Sequence, residues 1–263
     1  MSLNEKKQNS HVQSLARALE LVEVLAVEKQ DLSLTEIAQR LKWPKSTVHG
    51  ILTTLRDYRY VDQSSTNGRY RLGIRLFELG HKVAKNWDVR VIALPVMQKL
   101  NRQFGEMVQL ATEDTGDVFY IEKVDSTQII KIVSEIGARL PIHCSALGKV
   151  ILAYMPPADV RTIINRKGMA RMTKNTITDF GKLEAELLKI RNQGYGVDDQ
   201  EIMEGLRCIG APIFDMSGTV RYAVSVSVLA ERLVDDYFEK IKYSLIQAAE
   251  EISYNMGYRN RSL

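Results

Sequence analysis

The chain has 263 residues, 45% of them apolar, which is enough for two domains that each bury a core. Its apolar runs are short, as at Val150 to Met155, far below the roughly 18–20 residues of a membrane-spanning helix, and Met1 to Ser10 is polar with no signal-like segment, so a cytoplasmic protein without a membrane partner is expected. The formal charge of +4 lies wholly in residues 1–75, where 12 Lys and Arg face 8 Asp and Glu, while Cys144 and Cys208 are too few for a disulfide framework and lack zinc-site spacing, so neither metal nor cofactor is expected.

Leu15, Ala18, Leu19, Val22, Leu25 and Ala26 repeat at helical spacing and predict a first helix. Ser33-Leu34-Thr35-Glu36 has the form of a capping box, and Leu34, Ile37, Ala38 and Leu41 then predict a second, short helix. Trp43 and Pro44 stop it, and Val48, Ile51, Leu52 and Leu55 predict a third. Two short helices around so tight a turn form a helix-turn-helix, whose second helix enters the major groove of DNA.

The polar face of that helix begins at Lys45, Ser46 and Thr47, where free amides favour a phosphate, and continues through His49, Gly50, Thr53 and Arg56. For any one of these residues an ordinary hydrated helix face is an equal alternative. Tyr60 to Asp62 and Arg69 to Leu72 predict two short strands around Asn67-Gly68, a strong hairpin signal. Such a basic hairpin is a wing, and Arg69 and Arg71, two apart, are expected to share a face toward phosphate or a minor groove. Taken alone, the basic cluster from Arg40 to Arg75 is more often a solvated face than a polyanion site.

Lys45-Ser46-Thr47-Val48, Leu52-Thr53-Thr54-Leu55, Tyr60-Val61, Tyr70-Arg71-Leu72-Gly73 and Leu76-Phe77-Glu78-Leu79-Gly80, in this order, resemble the isocitrate lyase regulator (IclR) family of bacterial transcription regulators. Arg59 departs from the pattern, because such chains usually place there a glycine in a left-handed conformation. A non-glycine costs roughly 1 kcal/mol in that conformation, so a differently built helix end is expected.

Leu76, Leu79, Gly80 and Val83 form a further apolar stripe, which packs on its own domain or, as the resemblance implies, against a second copy. Asp88 is expected to cap a helix running toward Phe104 and kinked at Pro95. Glu106 to Glu113, Val118 to Val124, Ile129 to Val133, Arg207 to Phe214 and Val220 to Val228 then predict strands. Ala146 to Tyr154, Ala158 to Asn165, Lys182 to Asn192 and Asp235 to Met256 predict helices. The expected class is α+β, an antiparallel sheet covered by helices.

The resemblance continues through Leu140 to His143, Ser145 to Lys149, Gly194 to Glu201 and Gly205 to Pro212, and so spans nearly the whole chain. It implies a winged helix-turn-helix at 10–73, a linker helix at 74–88, and a GAF-like effector-binding domain at 89–263. It also implies a homodimer, with a tetramer left open, on a pseudo-palindromic DNA operator, acting as a repressor that answers to a small organic acid. Carried over by motif, the effector site comprises Ile129, Ile132, Ala146, Leu147, Asp198, Leu206, Cys208, Ser225 and Ser227. The family often has Gly-Ala where this chain has Ala146-Leu147, a bulkier helix start.

The residues themselves support that site in part. Ser225 and Ser227 alternate with Val224, Val226 and Val228, so both hydroxyls share one strand face and need partners, from a ligand, from protein groups or from water. An enzyme built on His143, Cys144, Asp198, Asp199 and Cys208 is a weaker reading, because no Ser nucleophile elbow, P-loop or His-Glu-x-x-His occurs. A constitutive DNA-binding protein whose second domain only dimerises is the other alternative.

Overall fold

The structure, a computed structural model, describes residues 12–28, 30–85, 88–129 and 134–259. It divides into two compact units, residues 1–86 and 87–263.

In the first unit, α1 (Gln13–Val27), α2 (Leu34–Leu41) and α3 (Lys45–Asp57) precede the hairpin β1 (Val61–Gln63) and β2 (Tyr70–Leu72), and α4 (Ile74–Lys85) follows. Leu21 and Leu25 of α1, Ile37 and Ala38 of α2, Val48 and Leu52 of α3, and Val61 and Tyr70 form the core. Of the stripe predicted for α1, Leu25 is buried and Ala18 and Val22 are half-buried, whereas Leu15 and Leu19 stay about 60% exposed and Leu21, outside the stripe, is fully buried. Apolar residues occur on more than one face of this helix, and periodicity alone found the buried face only in part.

The capping box is present. The Ser33 amide donates to Glu36 Oε2 at 2.7 Å and the Glu36 amide to Ser33 Oγ at 3.3 Å. Lys42, at φ 55°, ends α2 in a left-handed turn. Arg59 keeps the left-handed conformation, with φ 63°, so the helix end is not built differently despite the missing glycine. The chain is held there by Tyr60 N–H on the Leu55 carbonyl and by Gly73, whose absent Cβ would lie 2.2 Å from the Arg59 carbonyl oxygen.

The second unit is a six-stranded antiparallel sheet between two helical layers. Its strands are β3 (Met107–Asp114), β4 (Asp117–Val124), β5 (Arg139–Pro141), β6 (Gly196–Asp199), β7 (Leu206–Phe214) and β8 (Val220–Leu229), in the order β5-β4-β3-β8-β7-β6. On one face, α5 (Asp88–Phe104) and α9 (Asp235–Asn255) pack against Val224, Val226 and Val228. On the other, α6 (Ala146–Tyr154), α7 (Pro157–Lys167) and α8 (Phe180–Gln193) build a second core around Ala111, Val118 and Ala223. Pro95 lies within α5, and the Asp88 side chain expected to cap it lies outside the described residues. Among the described residues no helix is long and apolar enough to cross a membrane.

Of the strand expected at Ile129 to Val133 only Ile129 is described, and it lies in a loop. Residues 125–129 leave the sheet in a loop, where Ser126 Oγ donates to the Gly105 carbonyl at 2.9 Å and the Thr127 amide to the same oxygen at 3.0 Å. Beside β4 at the sheet edge is β5, with Val118 opposite Leu140. Residues 130–133 of the predicted strand lie outside the described residues.

Candidate functional site

Two regions carry the candidate residues. In the first unit, α3 starts after Pro44, which offers no side-chain cap, so its first amides are open to an anion. Lys45, Ser46 and His49 are exposed, and among the described residues their side chains take no hydrogen bond. Thr53 is half-buried and donates to the His49 carbonyl at 2.9 Å. Arg56 reaches Gln63 Oε1 at 3.0 Å, and Gln63 Nε2 in turn holds the Gly68 carbonyl at 2.9 Å, tying α3 to the hairpin turn.

Arg69 is occupied within the unit. Its guanidinium donates to the Asp31 carbonyl at 2.6 Å and to Glu36 Oε2 at 3.0 Å, while Arg71 lies 3.9 Å from Asp31 Oδ2. The Ser33 amide first, then Arg69, hold the Glu36 carboxyl below its ordinary range. The two arginines share a face as expected, but that face looks toward the Asp31–Glu36 segment. Because Leu32 also pairs with Tyr70 by two backbone bonds of 2.9 and 2.7 Å, Arg69→Ala should speed amide hydrogen exchange at Leu32 and Tyr70. Unchanged protection there would mean that the pair does not anchor the hairpin.

In the second unit a cavity of about 350 Å³ lies between the sheet and the start of α6. Ala146, Leu147, Asp198, Leu206, Cys208, Ser225 and Ser227, all expected, line it. Ile129 does not, because its loop leaves it fully exposed to solvent, and Ile132 lies outside the described residues. Sequence reasoning missed Gln109, Tyr120, Ser134 and Ser145, which also line the cavity. A signal existed for Gln109, which is the one polar residue in the run Met107 to Ala111 and sits opposite Ser225 in the sheet.

The helix start is fixed by two glycines. Ser145 caps α6 by accepting the Gly148 amide at 3.0 Å, and a Cβ on Gly148 would fall 2.1 Å from the Ile142 carbonyl oxygen. A Cβ on Gly210 of β7 would stand 3.1 Å from the Ala146 carbonyl, so the bare backbone lets the helix sit against the sheet. The amides of Ala146 and Leu147 donate to no described residue.

The serine pair is split by its surroundings. Ser227 donates to Gln109 Oε1 at 2.7 Å and lies 3.2 Å from Cys208 Sγ, so protein groups satisfy it. Ser225, equally buried, has no protein partner among the described residues and lines the cavity. Asp198 Oδ1 accepts the Glu201 amide at 2.7 Å and the Ile202 amide at 3.4 Å, and Oδ2 receives no hydrogen bond from the described residues. Burial lifts the Asp198 carboxyl to about 7 against the pull of the Glu201 amide. Burial also raises the Cys208 thiol and the Tyr120 phenol, leaving both neutral.

Residues 14–65 match the family described as the IclR helix-turn-helix domain, and residues 81–254 the one described as bacterial transcriptional regulator IclR C-terminal. The chain is 35% identical to the HTH-type transcriptional regulator KdgR of Escherichia coli, over 97% of this chain and 96% of that one. Its fold is similar to the crystal structure of Thermotoga maritima IclR, with a TM-score of 0.79, 32% identity, and coverage of 94% and 100% of the two chains. It is also similar to an IclR homolog from Microbacterium hydrocarbonoxydans complexed with 4-hydroxybenzoate, with a TM-score of 0.83, 26% identity, and coverage of 92% and 98%.

Proposed function

Because this chain belongs to the IclR family of bacterial transcriptional regulators, we propose that it is a repressor that binds a pseudo-palindromic operator as a homodimer and is controlled by a small organic acid in the cavity of its second unit. The observation that carries the effector reading is the convergence of free Ala146 and Leu147 amides, Ser225 and Asp198 on one cavity. Amides left open at a helix start and a hydroxyl with no partner among the described residues are the donors a carboxylate takes. A relative binds 4-hydroxybenzoate, which makes an aromatic acid one candidate beside keto and sugar acids.

Exposed apolar side chains support a second copy. Leu15 and Leu19 on α1, and Ile74 and Phe77 on α4, are large, apolar and solvent-facing, and such stripes mark association surfaces. For the operator, Lys45, Ser46 and His49 are the free groups at the open end of α3, with Thr47, Thr53 and Arg56 beside them. Arg71 and, if it leaves Glu36, Arg69 complete the phosphate contacts.

The test is fluorescence anisotropy on DNA from upstream of the chain's own gene, with a panel of keto, sugar and aromatic acids. One acid that changes specific affinity supports an effector-controlled regulator, whereas affinity blind to every acid would favour a constitutive binder. Lys45→Ala should flatten the slope of log affinity against log salt by roughly 0.9, the contribution of one phosphate contact. An unchanged slope would remove Lys45 from the interface.

A further inference from the structure

We propose that Asp198 meets the effector as an uncharged hydrogen-bond donor, so that the cavity takes up a small carboxylate together with one proton from solvent. The inference rests on the acid reading of the cavity given above.

Geometry carries it. The described residues lining the cavity include no Lys, Arg or His, while two carboxyls, Asp198 and Glu135, face it. Glu135 is exposed at the mouth, but Asp198 is only 2% exposed. Its Oδ1 is committed to the Glu201 and Ile202 amides, which leaves Oδ2 as the atom free to meet a ligand. A ligand carboxylate on the α6 amides would bring a second full negative charge beside the buried Asp198, and like charges at a desolvated site cannot both stay ionised without large cost. Protonating Oδ2 removes the repulsion and supplies a donor.

Among the described residues, the charged groups that act on Asp198 are Glu201, which raises its carboxyl further, and Lys149, whose pull does not outweigh burial. Cys208 on β7 stands directly opposite in register, and Tyr120 on β4 and Cys144 before α6 are buried neutral groups. Lys149 on α6 lowers the Asp198 carboxyl, but its ammonium is paired with Glu201. Burial accordingly lifts the Asp198 carboxyl to about 7.

The sign follows directly. Small organic acids stay ionised between pH 6 and 8, so binding weakens as pH rises and Asp198 loses its proton. With a carboxyl titrating at about 7, affinity should fall roughly tenfold from pH 6 to pH 8.

The experiment is isothermal calorimetry on the full chain with pyruvate, gluconate and 4-hydroxybenzoate and with their neutral amides, in buffers of differing ionisation enthalpy. Uptake of close to one proton per acid bound at pH 8, with the tenfold weakening, is the expected result. Asp198→Asn, which offers an N–H donor at every pH, should abolish both the proton uptake and the pH dependence. An acid that binds with zero proton uptake and flat affinity overturns the proposal and leaves the acid site standing. Amides binding where acids do not, or no member of the panel binding at either pH, overturns the acid reading and this proposal together.

Discussion

Lys149→Met should destabilise the second unit by about 3–5 kcal/mol at pH 7, while Lys149→Met combined with Glu201→Leu should recover most of that loss. Lys149 projects from a helix whose residues 146–153 are all buried, and its side chain is 1% exposed. It is paired with Glu201, whose Oε2 is buried without any partner. Burial outweighs the attraction of Lys149 and lifts the Glu201 carboxyl above its ordinary range. Removing the lysine alone therefore leaves a buried carboxylate with nothing to neutralise it, whereas replacing both groups with apolar ones removes two desolvation penalties at once. The defect of the single variant should shrink as pH falls, because protonation then discharges Glu201. Chemical unfolding of the three proteins at pH 5.5 and 7.5 measures this, and a single variant within 1 kcal/mol of the parent at pH 7.5 would mean that water already solvates the pair.

Much of this arrangement was legible in the sequence because it is local. The Ser33–Glu36 box, the Asn67-Gly68 turn and the start of α6 at Ala146 are each set by side chains within four residues of one another, and all appear as expected. The serine pair was legible from strand alternation, but which hydroxyl is free was not, since that depends on Gln109 from a strand over a hundred residues away. The partners of Arg69 were hidden for the same reason. Its spacing from Arg71 describes a face correctly, while its partners Asp31 and Glu36 lie 38 and 33 residues upstream and are invisible to any window. Ile129 carries strand propensity, yet it ends a loop in which the Thr127 amide donates to the Gly105 carbonyl. Short edge strands such as Arg139–Pro141 and Gly196–Asp199 exist through pairing with longer neighbours and have too few residues to show a period.

The same substitution at two helical glycines should act in opposite directions, and this isolates what holds the cavity open. Gly148→Ala puts a methyl group 2.1 Å from the Ile142 carbonyl oxygen and 2.7 Å from Ser145 Oγ. The first of these is backbone and cannot rotate away, so the start of α6 must move or the Ser145 cap must break. Overpacking of this kind costs about 3 kcal/mol, and here the displaced atoms include the free amides of Ala146 and Leu147 that the effector reading requires. Gly50, in the exposed middle of α3, has nothing within 4 Å of the same added atom. Gly50→Ala should therefore stabilise its helix by up to about 1 kcal/mol. Chemical unfolding of both variants, read by circular dichroism, should show destabilisation for Gly148→Ala and none for Gly50→Ala. Acid binding should be lost in Gly148→Ala even where the fold survives at low temperature. A Gly148→Ala protein that is as stable as the parent and binds acid equally well would mean that the turn at Ile142 yields freely, and that the helix start is not the rigid element on which the cavity is built.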